Sequence, residues 1–241
     1  MSNSLSKILL NKDINPEEFA STLQEKGRVQ IKNIFSDKTA DHLYNLIKQN
    51  KTWYLAYNEG DQYYESILQE FEKMPAHLKQ QFMNNIYRRA RTSFQYLFQQ
   101  YYITQAVEKG EEKGHPLHVM HDFVNADPFM SFMKKLTGED NIRFIESFVS
   151  SYGPGHFLTD HDDTHDKNDR VVAYTIGMTK NWKKDWGGHL AFFDDDGNIK
   201  QALMPSFNTL SVFLIPQPHA VQFVAPFAQM NRVSFLGWAN R

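Results

Sequence analysis

The sequence predicts a mainly β chain with flanking helices, and three observations carry that expectation. From Asn141 onward, short apolar segments recur between turn residues: Ile142 to Tyr152, Arg170 to Met178, His189 to Phe193, Ile199 to Met204, Thr209 to Leu214, Ala220 to Val224 and Arg232 to Trp238. Two of the intervening stretches, Asp195-Asp196-Gly197-Asn198 and Pro205-Ser206-Phe207-Asn208, carry the residues of tight hairpin turns. The first half reads mainly as helix. Short strands at this spacing indicate an antiparallel sandwich or barrel, and a jelly roll is the version whose mouth can hold a small ligand. With 241 residues and no repeat or low-complexity tract, residues 1–241 are expected to form one domain, 1–140 a mostly helical scaffold and 141–241 the β core.

In chain order, Asn15-Pro16-Glu17-Glu18 is a helix start, with Asn as cap, Pro at the first helical position and Glu placed for a capping box; Gly27 ends that helix. A strand from Arg28 to Phe35 follows. Ser36 or Asp37 can cap a second helix, in which Ala40, Leu43, Leu46 and Ile47 fall on one face. In Trp53 to Tyr64, two aromatic runs flank the turn-rich Asn58-Glu59-Gly60-Asp61, the pattern of a hairpin. Ile67 to Tyr102 reads as predominantly helical, broken near Pro75. Lys109 to His115 is a charged loop, and Asp127-Pro128 opens a short helix that Gly138 closes.

Composition excludes several classes of function. Lys and Arg number 26 against 28 Asp and Glu, so no field favours nucleic acid as a partner. The chain has no cysteine, which removes disulfides, thiolate nucleophiles, iron–sulfur clusters and Cys-based zinc sites. Any metal must be held by nitrogen and oxygen. Met1 to Leu10 lacks the apolar run of a signal peptide, and no segment has the length to cross a bilayer, so a cytoplasmic location is expected.

The chemistry concentrates in His161-Asp162-Asp163, Pro218-His219 and Arg232-Val233-Ser234. Two histidines and one carboxylate can occupy one face of an octahedral iron and leave three positions open. In an extended segment His161 and Asp163 project to the same side, with Asp162 turned away; His219 can supply the third ligand. Arg232 and Ser234 alternate onto one face of the last strand, where a guanidinium can hold a carboxylate in two parallel hydrogen bonds. A His/Asp pair two apart also arises by chance among ten histidines. Other features read as structural: His118, His121 and Asp122 as a polar face, Asp194-Asp195-Asp196-Gly197 as a hairpin tip without the rest of a calcium loop, His189 as a strand residue, and Arg88, Arg89 and Arg91 as a solvated helix face.

Tyr152-Gly153-Pro154-Gly155-His156-Phe157-Leu158-Thr159-Asp160-His161-Asp162-Asp163, Arg170, Trp186-Gly187-Gly188-His189-Leu190, Pro205 with Asn208, Pro218-His219-Ala220-Val221 and Arg232-Val233-Ser234 together resemble the 2-oxoglutarate- and Fe(II)-dependent dioxygenases of the prolyl 4-hydroxylase type, over residues 142 to 238. The nearest branch contains the hypoxia-factor, ribosomal-protein and bacterial elongation-factor prolyl hydroxylases. The resemblance implies a double-stranded β-helix, a cupin-like jelly roll, with iron on His161, Asp163 and His219. It further implies 2-oxoglutarate chelating that iron, its distal carboxylate on Arg232 and Tyr152 hydrogen-bonded to it, and ascorbate as the reductant. Two departures stand out: a longer interval between His219 and Arg232, with Pro226 to Met230 as an extra loop, and Gly177 near where many relatives carry a tyrosine, which leaves Arg232 with Ser234 or Thr175 to hold the carboxylate. The implied substrate is a prolyl residue in a protein or peptide, covered by the 53–64 hairpin as a lid; the same aromatics can equally pack an outer sheet. A free amino acid or small metabolite as substrate stays open, as does a non-catalytic metal- or ligand-binding barrel. A zinc hydrolase on the same three ligands lacks an obvious general base.

Overall fold

Thirteen strands join one antiparallel hydrogen-bonded sheet in the computed structural model, which describes residues 8–165 and 169–241. The first half contains α1 (Glu17–Lys26), β1 (Arg28–Lys32), α2 (Asp37–Gln49), β2 (Tyr54–Glu59), β3 (Gln62–Ile67), α3 (Leu68–Lys73), α4 (Ala76–Arg89), β4 (Tyr96–Tyr101), α5 (Ile103–Lys109), α6 (Val119–Asn125) and α7 (Asp127–Thr137). The second half contains β5 (Phe144–Ile145), β6 (Phe148–Tyr152), β7 (Phe157–His161), β8 (Arg170–Met178), β9 (Leu190–Phe193), β10 (Ile199–Leu203), β11 (Phe207–Leu214), β12 (His219–Val221) and β13 (Arg232–Asn240). The strands pair in the order β1-β11-β8-β13-β6-β4-β7-β12-β9-β10, with β2 and β3 added on β4 and β5 on β13. The sheet curls on itself, so that Phe213 of β11 and Leu190 of β9, far apart in this order, line one cavity. This is the double-stranded β-helix expected from the sequence. Among the described residues no helix is long and apolar enough to cross a membrane.

Local chemistry explains the helical flank. The Asn15 carboxamide accepts from the Glu17 N–H at 3.2 Å, and Gly27 leaves α1 at a φ of 71°, which costs a glycine no side-chain strain. Ser36 caps α2 by accepting from Thr39 N–H. The buried face of α2, Ala40, Leu43 and Ile47, packs with Phe129, Met133 and Leu136 of α7 into the same core as Ile31, Ile176, Leu210, Val212 and Phe235 of the sheet. Each such side chain contributes about 1.5–3 kcal/mol on burial, so this layer holds the sheet's convex side rigid.

Strand parity then presents chemistry on the other side. In β8, Val172, Ile176 and Met178 join the helix-covered core, while Ala173 and Thr175 face the cavity. In β13, Phe235 and Ala239 are core, and Arg232, Leu236 and Trp238 face the cavity. Asn208, at a φ of 52°, donates to Phe35 O and accepts from Phe35 N–H, both at 2.9 Å. That peptide-like clamp ties the segment after β1 to the start of β11.

Three expectations need correction. Ile67 to Tyr102 is not helical throughout, because Tyr96–Tyr101 is strand β4, paired with β2, β6 and β7. Its Tyr96, Phe98, Gln100 and the following Tyr102 alternate onto the cavity, a period of two that favours strand over helix. Ile142 to Tyr152 is two strands, β5 and β6, interrupted at Glu146-Ser147. Asp163 does not share an extended run with His161: β7 ends at His161, and Asp163 has a φ of 64°. The expected hairpin is present and runs on to Ile67, in register Glu59↔Gln62 through Tyr54↔Ile67.

Candidate active site

His161 closes β7, His219 opens β12, and the two are paired directly across the ladder, with ring centroids 4.1 Å apart. Each ring is oriented by its own backbone. His161 Nδ1 lies 3.0 Å from Thr159 O, and His219 Nδ1 lies 2.8 Å from Gln217 O. A carbonyl can only accept, so both Nδ1 atoms carry a proton and both Nε2 atoms point the other way, the positions that offer lone pairs when the rings are neutral. Asp163 answers them there, with Oδ1 3.4 Å from His161 Nε2 and Oδ2 3.4 Å from His219 Nε2. The left-handed turn at Asp163 is what swings the carboxylate back over the two rings.

Electrostatics separates the two imidazoles: burial works to lower the His161 pKa, but the hydrogen bond and charge of Asp163 outweigh it and raise the group, so a metal binding there displaces a proton. Burial pushes the His219 imidazole down to about 4, helped by the neighbouring charge of His161. Burial alone would raise the Asp163 carboxyl, but the hydrogen bond from His161 and the charges of His219 and His161 overcome it, and the group is held below the usual range. One donor atom from each of His161, Asp163 and His219 lies within 4.8 Å of the others. Adjacent corners of an octahedron with bonds of about 2.1 Å lie about 3 Å apart, so small side-chain movements bring these donors onto one metal. Two imidazoles, one carboxylate and no sulfur form a donor set suited to Fe(II).

Arg232 lies deeper in the same cavity. It opens β13 opposite Tyr152 of β6, is 6% exposed, and holds its guanidinium 5.1 Å from the centre of the Tyr152 ring. Burial lowers its pKa. Among the described residues the guanidinium has no carboxylate partner, which makes it a strong attractor for an anion. Around it, Thr175, Ser206, Thr209, Ser211 and Ser234 supply hydroxyls to a small adjoining pocket. Arg170 and Arg241 do not compete for the role: Arg170 stacks 3.7 Å from the Trp238 ring beside Glu146, and Arg241 is an exposed partner of Glu139 and Asp169. At Gly177 an added Cβ would lie 2.5 Å from Ser206 O, so the backbone before β11 occupies the space where a larger side chain would stand.

The trio and Arg232 face one cavity of about 270 Å³, walled by Phe94, Tyr96, Phe98, Tyr102, Phe148 and Trp238. The hairpin closes its rim. Gln100 Nε2 donates to Tyr63 Oη at 2.6 Å and to Glu65 Oε1 at 2.5 Å, and the Tyr63 hydroxyl hydrogen-bonds Glu65. Burial and that carboxylate drive the Tyr63 phenol pKa upward. The structure thus brings His161, Asp163, His219, Arg232, Tyr152 and Ser234 to one place. His118 bonds Tyr101 and His121 lies beside Thr104, away from the cavity, and Arg89 braces Glu59 and Gln95. Sequence reasoning missed the β4 wall and Gln100; the alternation of Tyr96, Phe98 and Tyr102 was the available signal.

Comparison with known proteins adds an independent line. Residues 147–240 match the model of the 2OG-Fe(II) oxygenase superfamily, a family that implies Fe(II) and 2-oxoglutarate. A stretch of 119 residues is 27% identical to the mouse (Mus musculus) protein prolyl 3-hydroxylase OGFOD1. That match covers 46% of this chain and 21% of the relative, so the chain spans about a fifth of the length of the curated protein it matches. Among solved structures, a Pseudomonas putida prolyl-4-hydroxylase superposes with a TM-score of 0.59 at 18% identity, over 94% of this chain and 99% of that one. A Trichoplax adhaerens prolyl hydroxylase, solved with a hypoxia inducible factor peptide fragment, gives 0.58 at 16% identity over 93% and 90%. A Burkholderia pseudomallei oxidoreductase of the 2OG-Fe(II) oxygenase family gives 0.62 at 13% over 96% and 93%. At these identities the structural matches speak to the fold alone.

Proposed function

Because residues 147–240 form a 2OG-Fe(II) oxygenase domain, we propose that the chain is a single catalytic unit, residues 1–241, which hydroxylates a prolyl residue in a protein or peptide. Succinate and carbon dioxide are the coproducts. The observation that carries this reading is the shared cavity, where the His161/Asp163/His219 donor set and Arg232, without a carboxylate partner among the described residues, face the same aromatic space. Iron bound to that donor set supplies the oxygen activation that couples 2-oxoglutarate oxidation to C–H hydroxylation.

The chain's own residues do the rest. His161 and His219 hold the metal through Nε2, each fixed in tautomer and ring orientation by a carbonyl two residues earlier. Asp163 supplies the negative charge. Arg232 takes the distal carboxylate of 2-oxoglutarate in a charge-assisted fork, with Ser234 and the Tyr152 hydroxyl as further donors. The apolar walls exclude water from the reacting centre, and the flat rings of Tyr96, Phe98 and Trp238 offer surfaces on which a pyrrolidine ring can lie. The 53–64 hairpin serves as the lid over the substrate. Ascorbate would be the reductant for iron held there, and the cytoplasm is the expected site of action.

Oxygen uptake matched by succinate formation from 2-oxoglutarate tests the reaction. Mass spectrometry of a host lysate incubated with the Fe(II)-loaded protein tests the substrate: a protein-borne proline that gains one oxygen atom supports the prolyl reading. Coupled turnover only with a free amino acid or small metabolite refutes it, and an absence of oxygen uptake leaves a binding barrel.

A further inference from the structure

Strand β3 is the free edge of the sheet beside the cavity mouth. Among the described residues it pairs with β2 alone, and five of its six residues are exposed. Natural edges are blunted by Lys, Pro, bulges or a covering element. Gln62–Ile67 contains neither Lys nor Pro, and its register with β2 is unbroken. Its one charge, Glu65, is drawn inward to Gln100. An aromatic edge left open in this way is a template for another strand.

The ladder parity says which backbone groups are free. Leu68 N–H bonds Trp53 O, and bonded pairs alternate along an antiparallel ladder, so Ser66, Tyr64 and Gln62 turn their backbone toward β2. Tyr63, Glu65 and Ile67 therefore turn theirs outward. The side chains of Tyr63 and Glu65 reach Gln100 on the cavity side, and Tyr63 lines the cavity itself.

We propose that the outer edge of β3 is a docking strand for the polypeptide substrate: an extended segment flanking the modified residue pairs with the backbone of Tyr63, Glu65 and Ile67 and delivers its neighbour into the cavity. This rests on the reading of the cavity as a hydroxylation site for polypeptides. Continuity selects the occupant, because the residue that lines the cavity also offers the free edge. Affinity comes from main-chain hydrogen bonds, which tolerate varied flanking side chains.

Ile67→Pro is the direct test. Ile67 already has a φ of −59°, which proline adopts without strain, and the substitution removes one outward N–H while leaving the β2–β3 ladder intact. The probe is a synthetic library of short peptides, each with one central proline and randomised flanks, incubated with the Fe(II)- and 2-oxoglutarate-loaded protein. For peptides the parent chain hydroxylates, Ile67→Pro raises KM by about fivefold and leaves kcat and 2-oxoglutarate affinity unchanged, the scale of a net hydrogen bond of roughly 1 kcal/mol. A second arm leaves the protein untouched: N-methylation of alternate amides in the best peptide weakens binding for one parity only. Equal KM in Ile67→Pro together with parity-blind methylation overturns the docking strand while the hydroxylase reading stands. A dimer of the parent chain that Ile67→Pro dissociates assigns the edge to a second copy and overturns it too. If no peptide is hydroxylated by the parent chain, the polypeptide reading falls and the docking strand falls with it.

Discussion

At the metal end of the cavity, His161 and His219 are each oriented by a carbonyl two residues away, whereas at the rim Tyr63 meets Gln100 across 37 residues of chain. The first end is built from local backbone geometry on paired strands inside the sheet. At the second, β2 is laddered to β4, and one side-chain amide, Gln100, reaches beyond it to the exposed outer strand β3. Deep, locally fixed groups suit a function that must not move, such as holding a metal and a cosubstrate. A long-range latch on a solvent-exposed strand suits a part that opens and closes. If that contrast is correct, damage at the two ends has different kinetic signatures.

The largest effects fall at the metal end. His161→Ala, Asp163→Ala and His219→Ala each abolish Fe(II) binding and succinate formation, and each leaves a folded protein, because the three residues contribute more to metal affinity than to the core. Asp162→Ala is mild, since Asp162 spends its carboxylate on Thr164. Circular dichroism, metal analysis and succinate assays together check this set; normal turnover in any of the three ligand variants breaks the contrast. Chelation of the metal from the parent chain is expected to reproduce the same loss reversibly.

Arg232 comes next. Leaving a buried carboxylate unpaired costs about 2–5 kcal/mol, so Arg232→Ala weakens 2-oxoglutarate by roughly 30-fold to several thousand-fold at about 1.4 kcal/mol per tenfold. Arg232→Lys recovers only part, because an ammonium keeps the charge and loses the parallel donors. Calorimetric titration of the anaerobic metal-loaded protein reads both values.

At the rim the effects are smaller and selective. Tyr63→Phe removes the hydroxyl that accepts from Gln100 and bonds Glu65, a net loss of about 1–2 kcal/mol, and lowers peptide hydroxylation about fivefold to thirtyfold while uncoupled 2-oxoglutarate consumption stays near that of the parent chain. Equal losses in both assays, with a lowered Tm, identify packing rather than gating. The smallest effect belongs to the outer face of the hairpin, where Tyr64 stacks on Tyr57 at 5.4 Å. Tyr64→Ala costs about 0.5–1.5 kcal/mol of stability and leaves both activities alone, which thermal denaturation and turnover measure side by side.

The same division decided what could be read in advance. The helix boundaries signalled by Asn15, Ser36, Gly27 and Gly138, and the alternation of Arg232 and Ser234 in β13, are local patterns, and they match the structure. The pairing of His161 with Asp163 was legible as a motif, although the geometry behind it differs: a left-handed residue after the strand, instead of two positions on one strand face. Asp can visit that conformation with its short polar side chain, which the spacing alone does not reveal. β4 was hidden because Tyr96–Tyr101 follows a genuine helix, α4, and its strand conformation comes from partners far away in sequence, β2, β6 and β7. Its aromatic alternation already favours strand, but without those partners in view it reads as a continuation of the helix. Gln100 and Glu65 find each other only after those strands have assembled, so the latch has no signature in the sequence.

The central claim is that one cavity holds metal at His161, Asp163 and His219 and cosubstrate at Arg232. Anaerobic titration of 2-oxoglutarate into the Fe(II) protein, followed through the charge-transfer absorbance of the chelate, tests both ends at once. The account predicts a saturable band in the parent chain, no band in Asp163→Ala, and in Arg232→Ala a band of the same shape that saturates only at far higher 2-oxoglutarate. An unchanged band and midpoint in either variant would contradict it.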